Sequence, residues 1–312
     1  MWESVGKGAK VGLSTTWALG KVIFPITLIV SLLQYTAILP WVIKQITPFM
    51  NWFGLSGDAA IPLVLGNFLN LYAGIGGILS LELTVKEVFI IAIMLSFSHN
   101  LLIETGVAVR VGVKLWVVLL VRIGLALTSA LVIHYVWSGG GELAQYGFVP
   151  QTGDIVGWKM IWFTAFQKAV IGVIQLAIIV IPLMIGIQLL KDYQWLPKFS
   201  NAMSPLTRSL GMKENTTTTL AAGFLFGLAY GAGVMIQAVK EDNVSRRDVT
   251  LAFIFLVACH AVVEDTLIFL PLGIPIWPLL LIRLGTAVVL TFIVGRIWSK
   301  ANVSKGKEVT LS

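Results

Sequence analysis

Charge is the first thing this chain is short of. Asp, Glu, Lys and Arg make up only 12% of its 312 residues, against roughly 25% in an ordinary soluble domain. A chain so poor in charge is neither a solvated coiled coil nor a disordered segment. Cysteine is nearly missing as well. Cys259 stands alone, which excludes a disulfide framework and any zinc or iron–sulfur site built from thiolates. No Ser-His-Asp order, phosphate-binding loop or soluble catalytic domain is present, so the chain is not expected to be an enzyme and no cofactor is expected. The apolar stretches also lack alternation at period two, which argues against a membrane barrel.

Apolar residues are what the chain has in plenty. They make up 57% of it, and the mean hydropathy is +0.90. The expected fold class is an all-α polytopic membrane protein. Eight stretches approach the roughly 20 residues that a crossing takes: Trp17–Trp41, Ala59–Leu81, Val88–Val109, Leu115–Trp137, Ile161–Leu190, Thr216–Gln237, Val249–Leu270 and Ile274–Trp298. Two of them are poor simple helices. Ala59–Leu81 carries Pro62, Gly66, Asn67, Asn70, Gly74, Gly76 and Gly77, and Thr216–Gln237 carries Gly223, Gly227, Gly231 and Gly233. Such residues weaken a helix, and irregular backbone survives at membrane depth only where protein or a water-filled cavity covers it. Both stretches are expected to be re-entrant hairpins, which leaves six crossings.

The distribution of basic residues supports that count. With the N-terminus inside, only Lys44, Lys86 and Lys159 fall outside, and Lys21, Arg122, Lys168 and Arg283 fall within spans. The remaining fifteen of the 22 lysines and arginines lie inside, as orientation by cytoplasmic positive charge requires. The net charge of +7 is therefore a topology signal rather than a nucleic-acid footprint. Both termini are expected in the cytoplasm and the protein in the cell membrane. Tryptophans near the ends of the stretches form an interfacial belt, and Pro40–Leu55 and Trp195–Leu210 are expected to be interfacial amphipathic helices.

The two halves resemble one another. Ser98–Thr105 aligns with Cys259–Thr266: a histidine is followed five residues on by a carboxylate and six on by threonine. Upstream, Leu71–Gly76 aligns with Ala229–Val234. The first repeat is residues 1–137, with a hairpin at about 58–81 and a broken helix at about 88–109. The second is 158–312, with a hairpin at about 215–238 and a broken helix at about 249–270. Residues 138–157 form an external linker. Three crossings per half is an odd number, so the repeats should be inverted, as in many secondary transporters.

Gly66-Asn67 through Gly76-Gly77 with Ser98-His99-Asn100, and Tyr230 to Gly233 with His260, resemble the gate, or nucleoside-recognition, domain family. Its relatives include spore maturation proteins, the membrane part of the ferrous iron transporter B and the core of concentrative nucleoside transporters. The resemblance implies that hairpin tips and adjacent unwound helices hold a ligand and sodium.

From the residues themselves, Asn67, Asn70, Tyr72, His99, Asn100, Asn215, Thr216, Tyr230 and His260 are the candidate substrate-binding groups. Glu104, Thr105, Glu264, Asp265 and Thr266 are the candidate ion-coupling groups, because charge inside a span costs about 2.5–3.5 kcal/mol and usually marks an ion path or a partner. The bland alternative pairs Glu104 with Arg110 or Lys114, and Glu264 and Asp265 with Lys168 or Arg283. His260 and Glu264, four apart, are expected to share a helical face. Gly74, Gly76, Gly77, Gly231 and Gly233 are expected at hairpin tips. No resident metal site is expected.

The function read from all this is an ion-coupled permease for a small polar solute, nucleoside-like or a small carboxylate. The alternatives are a non-transporting assembly subunit of a two-component gate complex and a divalent-metal transporter. Expected partners are the solute or ion, the lipid bilayer, and either further copies of the chain or a second gate protein. No nucleic acid is expected.

Overall fold

The computed structural model describes residues 2–36, 38–147 and 157–309. Residues 148–156 of the expected linker, and the side chain of Tyr230, lie outside the described residues. The fold is helical throughout. Among the described residues there is no strand, only an isolated antiparallel bridge between Thr84 and Leu143. The helices are α1 Trp2–Leu33, α2 Ile38–Met50, α3 Ala60–Phe68, α4 Leu71–Ser80, α5 Val85–Ser98, α6 Leu101–Arg110 and α7 Leu115–Val136. They continue with α8 Trp158–Asp192, α9 Trp195–Ser209, α10 Thr217–Tyr230, α11 Ala232–Glu241, α12 Arg246–Ala258, α13 Glu264–Leu267 and α14 Ile276–Val309.

Among the described residues five segments are long and apolar enough to cross a membrane: Trp2–Leu33, Val85–Arg110 taken across its break, Leu115–Val136, Trp158–Leu190 and Ile276–Ser299. The stretch 249–270, expected as a broken helix, is interrupted after Ala258. Its regular part, α12, has 13 residues and is followed by the irregular Cys259–Val263 and the four-residue α13. Thirteen residues rise about 20 Å, short of a hydrocarbon core about 30 Å thick.

The chain divides into two compact units. The first comprises Met1–Leu102, Ile123–Asp192 and Glu264–Leu279, and the second Ile103–Arg122, Tyr193–Val263 and Leu280–Ser312. In the first unit α1 runs against α8 on a ladder of small residues. A Cβ placed on Gly8 would lie 2.5 Å from the Cα of Ile185, and one on Gly12 would lie 2.8 Å from the Cα of Ile181. Gly20 meets Val173. With lipid on the outside, close backbone approach is what holds such helices together. Further along α1, Thr27 donates to the carbonyl of Gly76 in α4 at 3.2 Å.

In the same unit α3 and α4 fold onto each other. The connection is at Leu69–Asn70, where the Asn70 side chain accepts from the Ala73 N–H at 2.9 Å and caps α4. Gly74, Gly76 and Gly77 therefore lie inside the second arm and not at a tip. They let the arms touch, since a Cβ on Gly74 would come within 3.1 Å of the Gly66 Cα and one on Gly77 within 3.1 Å of the Pro62 Cα.

In the second unit α10 packs on α9, α11 and α12. Its axis is interrupted at Gly227, whose φ of +77° and ψ of 174° belong to a region that only glycine occupies readily. Gly231 stands at the α10–α11 junction, while Gly233 is within α11. Helix α9 carries its polar residues along one side and buries Ser200, Met203 and Thr207.

Candidate functional site

Two helices end in the same way, one in each unit. Helix α5 begins at a capping box: Thr84 accepts from the Glu87 N–H, and Glu87 reaches back to the Thr84 N–H at 2.9 Å. Helix α12 begins at Ser245, whose hydroxyl accepts from the Asp248 N–H at 3.1 Å. Both are apolar and almost wholly buried along their length, and a histidine follows each break: His99 is the C-cap of α5, and His260 comes after Cys259, the C-cap of α12. The His99 Nδ1 lies 2.6 Å from the Leu95 carbonyl, and the His260 Nδ1 lies 2.7 Å from the Leu256 carbonyl. A carbonyl only accepts, so Nδ1 carries the proton on both rings.

The next residue then turns left-handed. Asn100 has φ +53° and Ala261 has φ +41°. The Asn100 N–H donates to the Gly66 carbonyl at 2.8 Å. The Ala261 N–H donates to the Gly223 carbonyl at 3.2 Å, and the Val262 N–H to that of Phe224 at 2.9 Å. Each of those glycines is bare for the same reason: a Cβ on Gly66 would fall 2.5 Å from Leu95 Cδ2, and one on Gly223 would fall 2.5 Å from Leu256 Cδ1. In both places the backbone groups released by a broken helix are taken up by a neighbouring short helix, which is how broken helices persist in lipid.

In the first unit, Tyr72 on α4 hydrogen-bonds through its hydroxyl to Glu264 Oε1 at the start of α13, and both are buried. Asp265 and Thr266 follow on α13, also buried. The expectation that His260 and Glu264 share one helical face is overturned, because the helix is interrupted between them. Asn67 donates to the Leu63 carbonyl at 2.7 Å, and its buried Oδ1 has no hydrogen-bond partner among the described residues. It lines a cavity of about 210 Å³ with Leu63, Phe68, Met94, Ser98 and Leu127. A larger groove of about 770 Å³ along α1 and α8, bordered by Leu13, Trp17, Phe24 and Val173, is almost purely apolar. It offers little to orient a polar ligand.

In the second unit the buried polar groups form a chain. Arg122 donates to Glu104 Oε2 at 2.8 Å, and the other carboxylate oxygen, Oε1, lies 3.3 Å from His260 Nε2. Arg283 donates to the His260 carbonyl at 2.9 Å. Arg122 and Arg283 are both 0% exposed. Glu104 thus pairs with Arg122, 18 residues away on the next helix, and not with Arg110 or Lys114. The hydroxyls of Thr105 and Thr216 are buried without a hydrogen-bond partner among the described residues. Asn215, expected to bind substrate, is half-buried and ties its segment to the Asp242 carbonyl at 2.9 Å. Neither arginine is among the site residues expected from sequence. A signal for them exists, because Arg122 and Arg283 are separated by the same interval as His99 and His260.

A family model described as Gate, nucleoside recognition, matches residues 16–133 and 173–274. An uncharacterized membrane protein of Bacillus subtilis strain 168, YvoD, is 61% identical over 303 residues, covering 96% of this chain and 97% of that one. No solved structure matches.

Proposed function

The chain belongs to the Gate, nucleoside recognition, family of membrane proteins, and from that premise we propose that it is a permease of the cell membrane for a small polar solute, driven by an ion gradient. The observation that carries this reading is the twice-made helix break. At His99–Asn100 and again at His260–Ala261, a buried apolar helix breaks off, with a histidine directly after α5 and one two residues after α12, and the residue after each histidine is held by a glycine carbonyl of a neighbouring helix. A helix is expensive to break inside a membrane, and breaks of this kind serve transporters as binding sites. The matched caps, histidines and glycines support two repeats, which we take to be inverted, with α3–α4 and α10–α11 as re-entrant hairpins.

The solute is a nucleoside-like molecule or a small carboxylate, and Asn67, Tyr72, His99 and Asn100 of the first unit are among its ligands. Asn67 supports this most directly, since it lines the 210 Å³ cavity and its buried Oδ1 has no hydrogen-bond partner among the described residues. The test is uptake by the purified chain alone in proteoliposomes, with nucleosides, small carboxylates and divalent metals offered separately under an imposed gradient. Accumulation of a member of the first two classes is expected. Accumulation of metal alone would move the assignment to metal transport. No uptake of anything until a second gate protein is added would move it to an assembly subunit.

A further inference from the structure

We infer that Glu104 and His260 together form a binding site for a single proton, held between His260 Nε2 and Glu104 Oε1. The assignment rests on the permease reading only for its purpose, since it names the coupling ion; the site itself stands on geometry.

The argument is one of donors and acceptors. The His260 Nδ1 must carry hydrogen, because it faces the Leu256 carbonyl at 2.7 Å. In the neutral ring the other nitrogen, Nε2, then presents a lone pair, and it faces a carboxylate oxygen at 3.3 Å. Two acceptors at that distance repel until one hydrogen lies between them, whichever atom carries it.

Arg122 fixes the remaining charge. Its guanidinium donates to the other carboxylate oxygen at 2.8 Å and does not deprotonate. It cancels the carboxylate and leaves the incoming proton as the only variable charge of the three. Within this unit Arg283 is the other charged group at the ring, and it holds the His260 carbonyl at 2.9 Å without reaching Nε2 through that bond. Helix α10, packed on α12, carries no ionisable side chain from Thr217 to Ala229, and the charges of α12 lie at its far end, at Arg246, Arg247 and Asp248. Cys259 is the buried neighbour in sequence.

The site also lies beside a backbone device. The residue after the histidine, Ala261, is held left-handed by the Gly223 carbonyl. Movement of the proton thus takes place where helix α12 gives way to irregular chain, and a change in ring charge acts on the helix terminus directly.

The test is solid-state NMR of the full-length protein, ¹⁵N-labelled at histidine, in lipid bilayers from about pH 5 to 9, the range bracketing histidine titration. The His260 resonance is identified by its loss in His260→Gln. One transition is expected, from a ring protonated at Nδ1 only to one protonated at both nitrogens. In Glu104→Gln it should vanish or move by at least tenfold in proton concentration. If that variant fails to fold, Glu104→Asp, which keeps the carboxylate and widens the gap, should shift the transition without removing it. A ring that is neutral throughout the range, or doubly protonated throughout, overturns the proposal. Uptake measured on the same preparation separates the two readings. Titration without uptake of any solute leaves the proton site standing and removes the permease. Solute accumulation without titration does the reverse.

Discussion

Ala261 holds a backbone angle of φ +41° that an L residue adopts only against strain, and the strain is maintained by the hydrogen bonds its segment makes to Gly223 and Phe224. Ala261→Gly removes a cost of about 1 kcal/mol and should raise the thermal stability measured in detergent. Gly227→Ala should do the opposite. It forces a side chain into a glycine-only conformation, at about 1–3 kcal/mol, and brings the new Cβ within 3.0 Å of that of Ala261. In the Ala261→Gly background the contact disappears but the backbone strain at residue 227 stays, so rescue should be partial. The buried pair Glu104 and Arg122 obeys a different rule. Removing either partner alone leaves an uncompensated charge and should cost about 3–5 kcal/mol, while Glu104→Gln with Arg122→Gln should cost much less than the two singles added together. A double-mutant cycle by thermal unfolding measures this. The histidines and carboxylates are legible in the sequence because polar residues stand out in an apolar run. The partner of Glu104 is not, because sequence points to the charges nearest along the chain, and Arg122 reaches it from the next helix.

Among the elements, the glycines divide by what they touch. A Cβ on Gly6 of α1 would meet nothing within 4 Å, whereas on Gly8 and Gly12 it would be driven into the backbone of α8. Gly8→Ala and Gly12→Ala should each lower stability by about 1–3 kcal/mol and Gly6→Ala should change little, as thermal melting of the three variants will read. This places Gly12 and Gly20 inside the chain's own packing. The short helices α3 and α4 follow the same logic. Their glycine content announces an irregular segment, and the segment is there as two short helices, but the turn is made by Leu69 and capped Asn70 while the glycines serve the contact. Density of glycine does not distinguish a turn from a close approach, since both need a missing side chain.

For the whole molecule, the division at residues 138–157 follows the sequence repeat, whereas the compact units cut across it: each draws on three separate stretches of chain. Repetition shows in local motifs, but which stretches pack together depends on distant contacts that no periodicity encodes. The orientation in the membrane can be tested independently. In a Cys259→Ser background, single cysteines at Gly141 and Lys305 should be labelled by an impermeant reagent from opposite sides of the bilayer, and labelling from one side would reject the six-crossing arrangement. The bond from Tyr72 to Glu264 also has a meaning in time. The two residues are 192 apart in the chain, so at a synthesis rate of about 5–20 residues per second Tyr72 leaves the ribosome roughly 10–40 seconds before its partner. During that interval the first unit lacks Glu264–Leu279 and cannot close. Newly made protein therefore spends its first seconds with a tyrosine hydroxyl in need of a temporary companion, and the insertion machinery or trapped water must supply one until about the last sixth of the chain arrives.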